Sequence, residues 1–247
     1  GDSLSWIDAM NPSVTASRLY LKAASNVLGN VAINDLTYLD GVIWAAQAGT
    51  LTKIDELADQ ATQWTTSGQY DYAARMSSRN AASGYLLMNA SPAIVNNTVN
   101  AVAAIRSPWL QDGHRDDLGR QRQYWAAGTA DELSVAQYNS VGSLSIFDSN
   151  ESGATVALKT TFFTPSGFLV WQWRNTTPRD FLYATRTTTA LVADADAAFS
   201  AGGAWDNSES GSQDLRWASP TVMLGVAALD GASASGNNSP RIYAVAD

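Results

Sequence analysis

A chain of 247 residues holds one large domain or two small ones, and with 45% hydrophobic residues it is globular rather than disordered. Charged residues make up only 15% and the formal net charge is −8, with Lys22, Lys53 and Lys159 the only lysines; this argues against nucleic acid as a partner and against a polybasic membrane patch. No cysteine is present, which removes disulfides, thiolate metal sites and cysteine nucleophiles, and no apolar run approaches the roughly 20 residues of a membrane-spanning helix.

The elements predicted along the first half are helices. Val14, Leu21 and Leu28 recur every seventh position and Gly29 stands at a C-cap, giving a helix over 14–28. Asn34 reads as the N-cap of a second helix over 35–48, with Leu36, Leu39, Val42, Ile43 and Ala46 on one stripe and Gly49 closing it. A third, over 51–66, places Ile54, Leu57, Ala61 and Trp64 on its apolar face, and Gly68 follows. A fourth spans 72–89 and is weakened by Gly84. Ser91-Pro92 has the form of an N-cap with proline at the first helical position. The helix it opens carries Ile94, Val95, Val99, Val102 and Ile105 and stops before Pro108. Short connections between these helices suggest antiparallel neighbours.

After residue 130 the period changes. The segments 154–164, 167–174 and 180–188 are rich in β-branched and aromatic residues and read as an antiparallel meander, with Pro165-Ser166-Gly167 as one of its turns. A helix is expected over 189–199, stopped by Gly202-Gly203, then strand structure over 215–229 around Pro220 and over 241–245, with 231–239 a flexible loop between. No internal repeat is read, and Trp6 serves as a hydrophobic anchor near the start. The expected class is therefore α+β, with a helical antiparallel region over 1–130 followed by a mainly antiparallel β-rich region over 131–247; the junction falls within 108–130.

Candidate chemistry is sparse. Gly1-Asp2-Ser3-Leu4 resembles the opening of the GDSL hydrolases, and the resemblance implies Ser3 as nucleophile. The family's other marks are missing. No strand is expected ahead of Gly1, Asn34-Asp35 follows Ala32-Ile33 without the family's glycine, and His114 has Gln111, not Asp, three positions before it.

The most charged stretch lies between Trp109 and Trp125. There His114, oriented by Asp116 or Asp117, would act as an acid or base, and Arg115, Arg120 and Arg122 would hold an anionic group. The plainer alternative is a salt-bridge network in a long loop, within one chain or between subunits. Asp194 with Asp196, and Asp206 with Asn207 and Glu209, lack the spacing of a cation loop, so no metal is expected. There is no phosphate loop or dinucleotide fingerprint and Gly225 stands alone, so no cofactor is expected.

Trp171 and Trp173, two apart on a strand, share one side of it. They form core, an oligomer interface or a platform for a sugar ring. Trp205 and Trp217 flank 206–214, which reads as a surface recognition loop; Asn96, Asn150 and Asn175 stand in Asn-x-Ser/Thr contexts.

Low charge, abundant tryptophan and the lack of a catalytic constellation point to a non-enzymatic structural subunit of a homo- or hetero-oligomeric assembly. In composition the chain looks like a bacteriophage virion protein of the tail, baseplate, fibre or capsid decoration, placed in a virion or outside the cell. Its partners would be protein subunits, with no insertion into a membrane. The alternatives are a secreted glycan-binding module and a carbohydrate-active enzyme built on paired carboxylates.

Overall fold

The computed structural model describes residues 3–6, 18–107, 115–131, 133–138, 141–148, 157–163, 168–174, 180–186, 223–230 and 240–246. These are almost entirely antiparallel strands, which overturns the α+β class and the helical N-terminal part. Among the described residues the one helical element is a 3-10 turn, Met76–Ser78.

Where helices were expected over 35–48, 51–66 and 72–89, the chain builds one sheet in strict chain order. It contains β3 (Ile33–Leu39), β4 (Val42–Gln47), β5 (Leu51–Asp55), β6 (Gln60–Thr65), β7 (Gly68–Tyr72) and β8 (Tyr85–Asn89). Short pieces precede it: β1 (Ser3–Trp6) pairs with β2 (Arg18–Leu21), and β2 occupies part of the helix expected over 14–28.

The turns explain the difference. Asp40 and Gly41 have φ of 51° and 82°, and Leu39 pairs with Val42 across them. This is the two-residue hairpin turn that needs positive φ at both positions, which Asp-Gly supplies. It cuts the expected 35–48 helix in the middle. The apparent helical stripe from Leu36 to Ala46 joins two strands that meet at this turn. All six residues of β4 are buried, so both its faces are apolar and alternation disappears; such a run has no period that separates strand from helix. Gly68 is a second fixed point. Its φ is 121°, and a Cβ there would lie 2.1 Å from the Asn89 carbonyl oxygen, so β7 and β8 meet only because no side chain intervenes.

The expected fifth helix is absent as well. Ser91-Pro92 is a cis peptide bond in a non-helical approach to β9 (Val99–Arg106). The second sheet runs β9, β10 (Gln123–Thr129), β11 (Leu133–Tyr138) and β12 (Leu144–Asp148), again in chain order. β13 (Ala157–Phe163), β14 (Phe168–Arg174) and β15 (Asp180–Arg186) form the antiparallel meander that the sequence predicts. β16 (Met223–Asp230) pairs antiparallel with β17 (Pro240–Ala246). The turn at 165–167, the helix expected over 189–199 and the loop expected over 231–239 lie outside the described residues.

β9 lies against β3, β4 and β13. The first strands of three successive meanders are thus in contact. With this arrangement a repeat becomes visible that the sequence alone did not show. Trp44-Ala45-Ala46 and Trp125-Ala126-Ala127 occupy the second strand of successive meanders.

The seam between the first two meanders is the main core. Val42, Trp44, Ala46, Leu51 and Trp64 face Val99, Val102, Trp125, Ala127 and Ala136. Trp44 stacks on Trp64 at 5.8 Å between ring centroids and 22° between planes, and Trp125 tilts against both, at 5.8 and 5.2 Å. Each such pair adds about 1 kcal/mol beyond the burial of its area. The opposite face of the first sheet, with Ile43, Ala45, Ile54 and Ala61, is covered by Tyr20, Val27 and Leu28. Gln47 Nε2 donates to the Leu28 carbonyl at 2.6 Å and the Tyr85 hydroxyl to the Val27 carbonyl at 2.7 Å, which fixes that cover to the sheet.

Candidate functional site

β5 reads Leu51-Thr52-Lys53-Ile54-Asp55, and side chains alternate along a strand. Leu51 pairs with Ala46, Lys53 with Trp44 and Asp55 with Val42, so all three face the seam. Along one strand the seam therefore changes from apolar to charged. A buried carboxylate needs compensation, and the second meander supplies it through the connection between β9 and β10.

The described part of that connection is a compact turn. Arg115 bridges to Gln121, and the Asp116 carboxylate accepts from the backbone N–H groups of Leu118 and Arg120 at 3.0 and 2.8 Å. Asp116 also receives Arg120 Nε at 2.7 Å. Oriented in this way, the guanidinium reaches Asp55 on β5 with both terminal nitrogens, at 3.1 and 2.7 Å. Lys53 Nζ is 3.5 Å from the same carboxylate and 5.9 Å from the centroid of the Trp44 ring. Trp44 Nε1 donates to Gln123 Oε1 at 2.7 Å, and Gln123 Nε2 to the Leu39 carbonyl at 2.8 Å. At the rim Arg106 holds Asp40 with two hydrogen bonds.

Together with Tyr138 and Arg122, the side chains of Asp40, Lys53, Asp55, Asp116 and Arg120 line a narrow cleft that opens to solvent. The Arg122 guanidinium lies over the Tyr138 ring at 4.8 Å, and its Nε donates to the Arg115 carbonyl at 2.8 Å.

Burial and charge pull on the site's titrating groups in named directions. Burial raises the Asp55 carboxyl, but its hydrogen bonds to Arg120 and the charge of Lys53 outweigh that and hold it below the usual carboxylate range. The Arg106 hydrogen bonds hold Asp40 low as well. Lys53 is lowered, because desolvation outweighs the attraction of Asp55. Burial raises the Tyr138 phenol, so its hydroxyl keeps its proton at neutral pH.

Of the candidates in the charged stretch, Asp116, Arg120 and Arg122 line the cleft. Arg115 is exposed beside it, giving its carbonyl to Arg122 and its Nη1 to the Gly119 carbonyl at 2.9 Å. Asp117 is exposed on the turn, and His114 lies outside the described residues. Trp171 is in register between Thr161 and Tyr183, and Trp173 between Leu158 and Phe181. Trp205 and Trp217 lie outside the described residues. Ser3, the nucleophile that the GDSL resemblance implies, is a residue of β1. The Asn96 side chain is half-buried and bonded to Asp131 and to the Thr98 N–H.

Sequence reasoning missed Asp40, Trp44, Lys53, Asp55, Gln123 and Tyr138. The available signal was the period of two in Leu51, Lys53 and Asp55, closed by a turn at 56–59 in which the Ala58 N–H donates to Asp55.

Chemically the cleft offers cations and hydrogen-bond donors, and no serine or threonine hydroxyl lines it among the described residues. Among the described residues no three carboxylate or imidazole side chains converge as a metal set, and no helix is long and apolar enough to cross a membrane.

No family model matches the chain, and no curated protein is similar to it. Among solved structures it is similar to one described as YCF48 bound to D1 peptide, at 10% identity and a TM-score of 0.27. The match covers 66% of this chain and 52% of that one, so the chain spans about half its length.

Proposed function

We propose that the chain is a non-enzymatic structural subunit of a larger assembly, of the kind that builds bacteriophage virions, and that copies of it associate through strand β8. The observation that carries this reading is the outer strand of the first sheet. β8 pairs only with β7 among the described strands, and Leu86, Leu87 and Met88 along it are 61%, 53% and 60% exposed. Successive strand residues point to opposite faces, so three in a row left exposed means that neither face of β8 is covered. An apolar, unpaired edge is a template for another strand, and proteins that stay monomeric blunt such edges with charge or proline. Tyr85-Leu86-Leu87-Met88-Asn89 carries neither. Two copies pairing antiparallel here bring no like charges together, which a surface with a net charge of −8 rarely permits elsewhere.

Sedimentation velocity tests the association. The protein is expected to have a mass that is a multiple of 26.3 kDa, falling to a single chain in Leu87→Lys, whose side chain lies outside the core. A wild-type chain that stays monomeric at high micromolar concentration overturns the proposal. The virion assignment is read from gene neighbours: portal, terminase or tail genes support it, and an isolated secreted gene removes it.

A further inference from the structure

The cleft between the first two meanders does not take part in the β8 contact, and its charges are not balanced internally. Asp40 is neutralised by Arg106. Asp55 and Asp116 are matched by Arg120 and Lys53. Arg122 is left. Among the described residues no carboxylate lies within ion-pair distance of it; its guanidinium lies over the Tyr138 ring, hydrogen-bonds the Tyr138 side chain and donates to the Arg115 carbonyl. Counting Arg106 at the rim with the lining, one positive charge stands in surplus among the described residues of the cleft, in a protein whose net charge is −8.

The neighbours of that charge specify what can balance it. Lys53, with an aliphatic stem along Trp44 and 28% of its side-chain surface still accessible, is a second donor on the cleft wall. The Tyr138 hydroxyl, hydrogen-bonded to Arg122, is a third. Trp44 and Val42, both buried, close the floor of the cleft. We infer that the cleft binds a single carboxylate group, held by the Arg122 guanidinium and the Lys53 ammonium. A guanidinium matches a carboxylate with two parallel hydrogen bonds. A phosphate dianion is disfavoured, because it brings twice the charge to a wall that already holds Asp55 and Asp116. The carboxylate can belong to a small free acid or to an acidic residue of a protein partner, and both present the same chemistry.

The test is a titration of the wild-type protein followed by 1H–15N NMR, with three probes at constant ionic strength: sodium propionate, inorganic phosphate, and an acetylated, amidated Ala-Glu-Ala peptide. Propionate or the peptide is expected to give saturable shifts at Lys53, Gln123 and Arg122, and phosphate none beyond those of chloride. A peptide that binds more tightly than propionate assigns the carboxylate to a protein partner, and equal affinities assign it to a free acid. Arg122→Gln is expected to weaken binding about tenfold or more, and Arg122→Lys to weaken it less. Absence of saturable shifts with both carboxylates overturns the inference, as does phosphate binding tighter than propionate. So does full affinity in a folded Arg122→Gln protein. The comparison of probes needs no variant, so it stands even if a substitution unfolds the turn.

Discussion

Arg120 and Asp55 are 65 positions apart in the chain and meet in two parallel hydrogen bonds, one from each terminal nitrogen of the guanidinium. This contact closes the charged end of the seam between the first two meanders, where Trp44, Trp64 and Trp125 close the apolar part. The Asp55 side chain is 4% exposed and that of Arg120 23%.

Breaking the pair from the arginine side leaves a buried carboxylate with the Ala58 N–H and the more distant ammonium of Lys53. Arg120→Ala is expected to cost about 3 kcal/mol, near the lower end for a broken buried pair. Lys53→Met is expected to cost less, because Asp55 keeps both bonds to Arg120. Urea denaturation of the two variants checks the order.

The tryptophan triad separates packing from hydrogen bonding. Trp44 Nε1 is bonded to Gln123, whereas the buried Nε1 of Trp125 has no hydrogen-bond partner among the described residues. Both substitutions by phenylalanine remove a similar volume, but only Trp44→Phe strands a buried amide oxygen. Trp44→Phe is therefore expected to be the more destabilising by about 1 kcal/mol, and Trp125→Ala to cost about 3–5 kcal/mol through the cavity it leaves. Chemical denaturation followed by circular dichroism measures both.

Two glycines with positive φ give a contrast in backbone tolerance. At Gly68 a Cβ meets the Asn89 carbonyl, while at Gly119, with φ of 75°, nothing lies within 4 Å of it. Gly119→Ala is expected to cost about 1 kcal/mol, the price of the left-handed conformation alone. Gly68→Ala is expected to cost about 3 kcal/mol or more, because β7 and β8 must separate. Thermal unfolding distinguishes the two, and equal shifts in Tm refute the close approach of the strands.

Acid should loosen the cleft before the apolar seam. Asp40 and Asp55 both have carboxyls held below the ordinary value, so the folded state binds fewer protons than the unfolded one across that range. Their contribution to stability is complete above the ordinary carboxylate pKa of about 4. It is lost as pH falls through their lower folded values. A plot of unfolding free energy against pH is expected to slope down toward acid below about pH 4, and the slope is expected to be shallower in Asp55→Asn.

The sequence carried the second half of the fold better than the first. The meander of β13, β14 and β15 was legible because Thr, Phe, Val and Trp are concentrated there and the turn residues are conspicuous. The first sheet was misread for physical reasons visible in three places. β4 is buried on both faces, so it shows no alternation. Its apolar residues continue those of β3 across Asp40-Gly41 at a spacing that imitates a helix. Ser91-Pro92 has the composition of a helix start but the geometry of a turn. At the cleft, the arginines and Asp116 were legible as a charge cluster, since they are close in sequence. Lys53 and Asp55 were not, because only the pairing of β5 with β4 brings them to the seam and only the β9–β10 connection reaches them from the other side.

That connection separates two tasks in the molecule. The strands on both sides of the seam carry the apolar contacts, while Asp116, Arg120 and Arg122 stand on or beside a turn that contributes nothing to the tryptophan triad. Arg120, oriented by Asp116, braces the seam through Asp55, and the other residues of 115–122 can be exchanged while both sheets keep their register. The ligand preference of the cleft is exchangeable at Arg122, while the Arg120–Asp55 pair belongs to the scaffold itself.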